Sequence, residues 1–81
     1  MATVPLEIIT PERVLFKGDI TALVCRTEVG ELGILPGHAD LLAYLVPGEV
    51  RITDACGEKH TVAIRGGFLE VHPRKITVLA E

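Results

Sequence analysis

Glycine and proline interrupt this chain at short intervals: Thr10-Pro11, Gly18-Asp19, Pro36-Gly37, Pro47-Gly48, Asp54-Ala55-Cys56-Gly57, Gly66-Gly67 and His72-Pro73. Proline fixes φ and lacks a backbone donor, and glycine weakens helix and strand alike, so each site is a candidate end of regular structure. The runs between them are too short and too rich in β-branched side chains for helices, and none carries a sustained apolar repeat at the helical period. Strands are expected at about 3–9, 13–17, 19–27, 31–35, 41–46, 49–54, 59–65, 68–72 and 75–80, which predicts an all-β, two-sheet antiparallel sandwich of about nine or ten short strands.

Alternation sets the inward faces. Val50 and Ile52 alternate with Glu49, Arg51 and Thr53; Val62 and Ile64 with Thr61, Ala63 and Arg65; Ile76 and Val78 with Lys75 and Thr77. One face of each strand can then enter a core while the other meets water. The chain is 48% apolar but holds only two Phe, one Tyr and no Trp, so Val, Ile, Leu and Ala must build that core. With 81 residues there is material for one domain, which hides roughly 60–65% of its unfolded surface on folding. The run from Leu41 to Val46 breaks the alternation, being apolar on both faces, and a partner protein is the simplest cover for its outer side.

Catalytic chemistry finds little purchase. There is no Ser, Asn or Gln, which removes a serine nucleophile and amide oxyanion donors together. Cys25 and Cys56 lack Cys-x-x-Cys spacing and read as two reduced, partly buried thiols, Cys25 on the same strand face as Leu23 and Cys56 in a turn. His38, His60 and His72 show no local ligand spacing, so no metal or other cofactor is expected. A net charge of −3 with scattered Lys and Arg argues against nucleic acid, which calls for a basic stripe. No apolar run approaches the roughly 20 residues that span a bilayer, and the N-terminus lacks a signal-peptide pattern; a soluble cytoplasmic or organellar protein, without membrane insertion, is expected.

Residues 30 to 38, Gly-Glu-Leu-Gly-Ile-Leu-Pro-Gly-His, space three glycines and a proline through an apolar run, which specifies a shaped loop. Glu31 reads from the sequence as the exposed tip of that loop, and His38 as a side chain able to cap the turn after Pro36-Gly37. A phosphate cradle would need a helix start after the glycines, where Pro36-Gly37 stands instead.

The nonapeptide, together with Pro47-Gly48-Glu49-Val50-Arg51-Ile52, Gly66-Gly67-Phe68-Leu69-Glu70-Val71, Ile76-Thr77-Val78-Leu79-Ala80, Leu6-Glu7-Ile8-Ile9 and Phe16-Lys17-Gly18, resembles the N-terminal domain of the epsilon subunit of F-type ATP synthases, whose mitochondrial counterpart is delta. The resemblance covers nearly the whole chain and implies one epsilon-type domain over residues 1–81, without the C-terminal helical hairpin into which epsilon subunits usually continue. It implies a non-catalytic central-stalk rotor subunit, peripheral on the cytoplasmic face of a bacterial energy-transducing membrane or its organellar equivalent. The implied partners are the gamma subunit and the polar loops of the membrane ring. By that resemblance Gly30, Glu31 and Leu32 would contact the ring, and Thr10, His38, Leu42 and Ala43 the gamma subunit. Asp40 departs from the family, which commonly has Pro or a neutral residue there. The rival expectation is a free-standing sandwich that binds a peptide or small ligand along an edge strand.

Overall fold

The structure is a computed structural model that describes residues 2–81. Its elements are β1 (Val4–Ile9), β2 (Val14–Thr27), β3 (Gly30–Ile34), β4 (Leu41–Leu45), β5 (Gly48–Asp54), β6 (Lys59–Ile64), β7 (Gly67–His72) and β8 (Lys75–Ala80). They form one hydrogen-bonded sheet in the order β4-β7-β8-β1-β2-β5-β6, with β3 also paired to β2. The sheet curls into the two layers of a sandwich. Its pairings are antiparallel except that β1 and β8 run parallel, Leu6 beside Ile76 and Ile8 beside Val78.

The all-β sandwich expected from the punctuation is present, with eight strands in place of nine or ten. The difference lies in β2, whose 14 residues join the segments 13–17 and 19–27. Gly18 does not break the ladder: it pairs with Leu6, and Asp19 with Pro5. Bending comes instead from two register shifts, one where Ile8 and Ile9 face Phe16 and Val14, the other where Ile20 and Ala22 face Asp54 and Thr53. The second shift leaves Thr21 as an extra residue and changes the inward parity of the strand from Ile20 to Leu23 and Cys25. A bulge of this kind re-aims a strand and sharpens its twist. It lets β2 pair with β1 through Ile20 and with β3 from Leu23 onward, so one strand carries the chain from layer to layer.

Every strand contributes to one core: Val4, Leu6, Ile8, Ile20, Leu23, Cys25, Ile34, Leu45, Val50, Ile52, Ile64, Leu69, Val71, Ile76, Val78 and Ala80. Val50, Ile52, Ile64, Ile76 and Val78 point inward as the alternation requires. Gly67 is fixed by packing. Its φ is 151°, and a Cβ there would overlap the Leu79 carbonyl oxygen, so β7 lies against β8 at a separation only glycine allows.

Candidate functional site

The β2–β3 hairpin places Glu31. Thr27 Oγ1 donates to the Gly30 carbonyl at 2.9 Å and accepts from the Val29 backbone N–H at 3.3 Å, closing the turn. Gly30, with φ 124°, supplies a conformation that side chains resist. The tip is Glu28-Val29, with Val29 99% exposed, and Glu31 lies back along β3 opposite Arg26. Glu31 is exposed, as expected, but it is not the tip of the turn. Glu31 Oε2 accepts from Arg51 Nη2 at 2.6 Å, and the pair bridges β2 on the outer face of the β3-β2-β5 layer. Arg26, Glu31, Gly48, Glu49 and Arg51 together line a shallow cleft of about 240 Å³. Leu32 is half-buried and leans on the core, while Gly33 has ordinary φ and open space where a Cβ would stand.

Strand β4 orients the other predicted set. Leu41, Ala43 and Leu45 share the inward parity, Leu45 buried and the other two packed partly on the core. Leu42 and Tyr44 project outward, 62% and 75% exposed. Leu42 thus lies on the outer face, whereas Ala43 shows only a partial surface, in a cleft shared with Thr27, Glu28, Val29 and Tyr44. Thr10 and His38 lie toward opposite ends of this layer: Thr10 follows β1 one residue past Ile9, which is level with Tyr44, and His38 precedes β4 at its Leu41 end. Thr10 Oγ1 accepts from the Glu12 and Arg13 backbone N–H groups at 3.2 and 3.1 Å and is 3.2 Å from the Arg13 carbonyl, so it closes the β1–β2 turn. The ring of His38 meets the Ala39 carbonyl at 2.7 Å through Nδ1–H, and the His38 N–H bonds the Leu35 carbonyl, a capping geometry after Pro36-Gly37.

Register extends the apolar outer side expected of β4 into a row across three further strands, which the sequence reading missed. Tyr44 is opposite Phe68, Phe68 opposite Leu79, and Leu79 beside Ile9, an apolar row across β4, β7, β8 and β1 on the outer face. The Tyr44 and Phe68 rings meet edge to face, centroids 5.2 Å apart. The adjoining row, Leu42, Glu70, Thr77 and Glu7, is mostly polar. The doubly apolar run holding Tyr44 signals one end of the row; the apolar positions at 9, 68 and 79 join it only through strand order. At its margin His72 stands between Asp40 and Glu70, at 3.6 and 3.5 Å, which gives Asp40 a basic neighbour within the chain.

The remaining reactive groups are dispersed. Cys25 is in the core, where burial pushes its thiol up to about 12. Cys56 is exposed in the β5–β6 turn, not partly buried as expected. Asp54 organises that turn: its carboxylate meets His60 Nε2 at 2.7 Å and accepts the Glu58 and Cys56 backbone N–H groups at 2.9 Å each. The His60 bond first, then the backbone donors, holds the carboxyl below the usual range.

Residues 3–81 match the family model described as ATP synthase, Delta/Epsilon chain, beta-sandwich domain. Among curated relatives the chain is 46% identical over 81 residues to the ATP synthase epsilon chains of Xanthomonas campestris pv. campestris (strain B100), Stenotrophomonas maltophilia (strain K279a) and Xylella fastidiosa (strain Temecula1). In each case the alignment takes in 100% of this chain and 58% of the relative, so the chain spans little more than half the length of those proteins. Among solved structures, a chain of the Euglena gracilis mitochondrial ATP synthase OSCP/F1/c-ring assembly superposes with a TM-score of 0.91 at 26% identity, covering 99% of this chain and 51% of that one. A chain of the Tetrahymena thermophila mitochondrial ATP synthase central stalk/c-ring gives 0.72 at 21% identity, covering 96% and 64%, a likeness of fold.

Proposed function

The chain belongs to the delta/epsilon β-sandwich family of ATP synthases, and from that premise we propose that it acts as a non-catalytic rotor element of the central stalk, joining the gamma shaft to the polar loops of the membrane ring. It performs no bond chemistry. It holds two surfaces in fixed relation, so that rotation driven by proton flow at the ring reaches the shaft and ATP synthesis follows. It is peripheral to an energy-transducing membrane through the complex, on the cytoplasmic face in a bacterial cell.

The carrying observation is that the two layers present unlike outer faces: the Tyr44-Phe68-Leu79-Ile9 row on one, the Arg26-Glu31-Glu49-Arg51 patch on the other. An apolar row in a small domain suits a close contact with a shaft, with Leu42 and the exposed part of Ala43 at its edge. The charged patch, flanked by Gly30, suits a polar loop. His38 and Thr10 bound the shaft face and shape its turns. A continuous close-packed core gives the low compliance that torque transfer requires.

The test is co-expression with the gamma subunit from the same source. Stable co-elution is expected, and assembly with the ring should follow when ring subunits are supplied. Separate elution of the chain and gamma would sink the proposal.

A further inference from the structure

We infer that Arg51 is a positioning residue that fixes the Glu31 carboxylate for the membrane ring, so that this face offers the ring an oriented ion pair instead of a free negative charge. The inference rests on the ring-contact reading of Glu31 given above. Both side chains are about half exposed, yet Oε2 and Nη2 stand 2.6 Å apart. The pair is diagonal: Glu31 on β3 is opposite Arg26, and Arg51 on β5 is opposite Val24, so the carboxylate reaches across the outer face of β2.

The surroundings are of mixed sign. Arg26 and Glu49 line the same cleft, so the patch carries two positive and two negative side chains. A patch with no net charge does not attract a partner by long-range field. It discriminates by direction, matching a donor to the carboxylate that Arg51 holds in place. The ring loop that fits it therefore brings a hydrogen-bond donor to the Glu31 carboxylate, and a net positive charge on that loop is not required. As a fold element the pair contributes little, because exposed ion pairs are worth about 0–1 kcal/mol. The hairpin is already set by Thr27, Gly30 and the β2–β3 ladder. Its worth lies in removing the rotamer freedom of Glu31 before the ring arrives.

A double-mutant cycle in the assembled synthase separates the possibilities. Membranes reconstituted with Glu31→Ala, Arg51→Ala, the double variant and Arg51→Lys are assayed for retention of the chain on the rotor and for ATP-driven proton pumping, beside thermal melts of the isolated chains. Expected are similar losses, several-fold in retention, for Glu31→Ala and Arg51→Ala, no further loss in the double variant, partial rescue by lysine, and melts near the parent's. Normal retention for Arg51→Ala with loss for Glu31→Ala overturns the positioning role and leaves the ring contact standing. Arg51→Ala losses that persist undiminished on the Glu31→Ala background overturn it as well, since Arg51 would then act independently of Glu31. Normal retention for Glu31→Ala overturns the ring-contact reading itself, and the inference with it.

Discussion

The ring of Tyr44 stands edge-on to that of Phe68, centroids 5.2 Å apart and planes at 63°, on the outward side of β4 and β7 where Tyr44 is 75% exposed. Such a pair stabilises by about 0.5–1.5 kcal/mol beyond area burial, and Leu79 and Ile9 extend it across two more strands. An uncovered aromatic at the end of an apolar row is the kind of anchor that dominates interfaces.

Tyr44→Lys is therefore expected to leave the fold intact, lowering stability by no more than about 1–2 kcal/mol. The same change should remove gamma from the co-eluting complex, because a charge would be desolvated in the contact. Retained gamma, with an unchanged circular dichroism spectrum, would place the shaft interface on another face.

The register of β4 makes neighbouring positions behave oppositely. Leu42 is outward and Ala43 shares the inward parity of Leu41 and Leu45. Leu42→Arg should melt close to the parent, within about 0.5 kcal/mol, as exposed substitutions usually do. Ala43→Arg pushes a long cation against the core edge and should cost about 1–3 kcal/mol. Equal melts for the two variants would contradict the described orientation of the strand.

Much of this was legible from residue order, and the illegible part has a common cause. Alternation at 49–53, 61–65 and 75–78 gave the inward sets correctly because a strand's period is local. What stayed hidden depends on pairing between distant segments. Gly18 reads as a break, yet its partner Leu6 keeps it in the ladder. A doubly apolar β4 does not disclose which parity faces in, and the row from Tyr44 to Ile9 exists only once four strands are aligned. The Glu31–Arg51 pair spans 20 residues of sequence and two different neighbours of β2, with no local signal.

Asp54 makes the β5–β6 turn acid-sensitive. Its carboxyl is held below the ordinary value of 3.8, chiefly by His60 and then by the Glu58 and Cys56 N–H groups. A depressed folded-state value contributes stability that is fully present above the unfolded value and is lost as pH falls through the folded one. The advantage of the parent over Asp54→Ala in melting temperature should hold above about pH 5 and shrink steadily below about pH 4. An advantage that is constant down to pH 2 would show that the carboxylate's charge state is irrelevant to the turn.

The two thiols should differ by environment. Cys56 is exposed in the turn, while Cys25 is buried in the core with its thiol raised to about 12. A thiolate is the reacting species, so burial and the raised value act in the same direction. Under native conditions a maleimide should modify Cys56 rapidly and Cys25 only on unfolding. Two equally fast modifications without denaturant would contradict the core placement of Cys25.

Gly67 and Gly33 test two reasons for keeping a glycine in a strand. At Gly67 a methyl group would overlap the Leu79 carbonyl oxygen, and φ of 151° is itself unfavourable for a side chain. Neither neighbour can yield without breaking the β7–β8 ladder, so Gly67→Ala should cost about 2–4 kcal/mol in a denaturant titration. Gly33 has no such constraint: its φ is ordinary and nothing lies within 4 Å of the added carbon. Alanine relieves the conformational entropy that glycine brings to a strand, so Gly33→Ala should be neutral or stabilising by about 0.5–1 kcal/mol. The fold alone thus gives no reason for glycine at position 33, two residues after Glu31 on the same strand, and the reason is expected in the assembly. In reconstituted membranes Gly33→Ala should weaken retention on the rotor while leaving the melt unharmed, if the ring contact proposed for this hairpin holds, because the methyl group would stand on that surface. If instead retention is normal and the melt falls, the hairpin needs this glycine for its own folding, and the open space described beside it is misplaced.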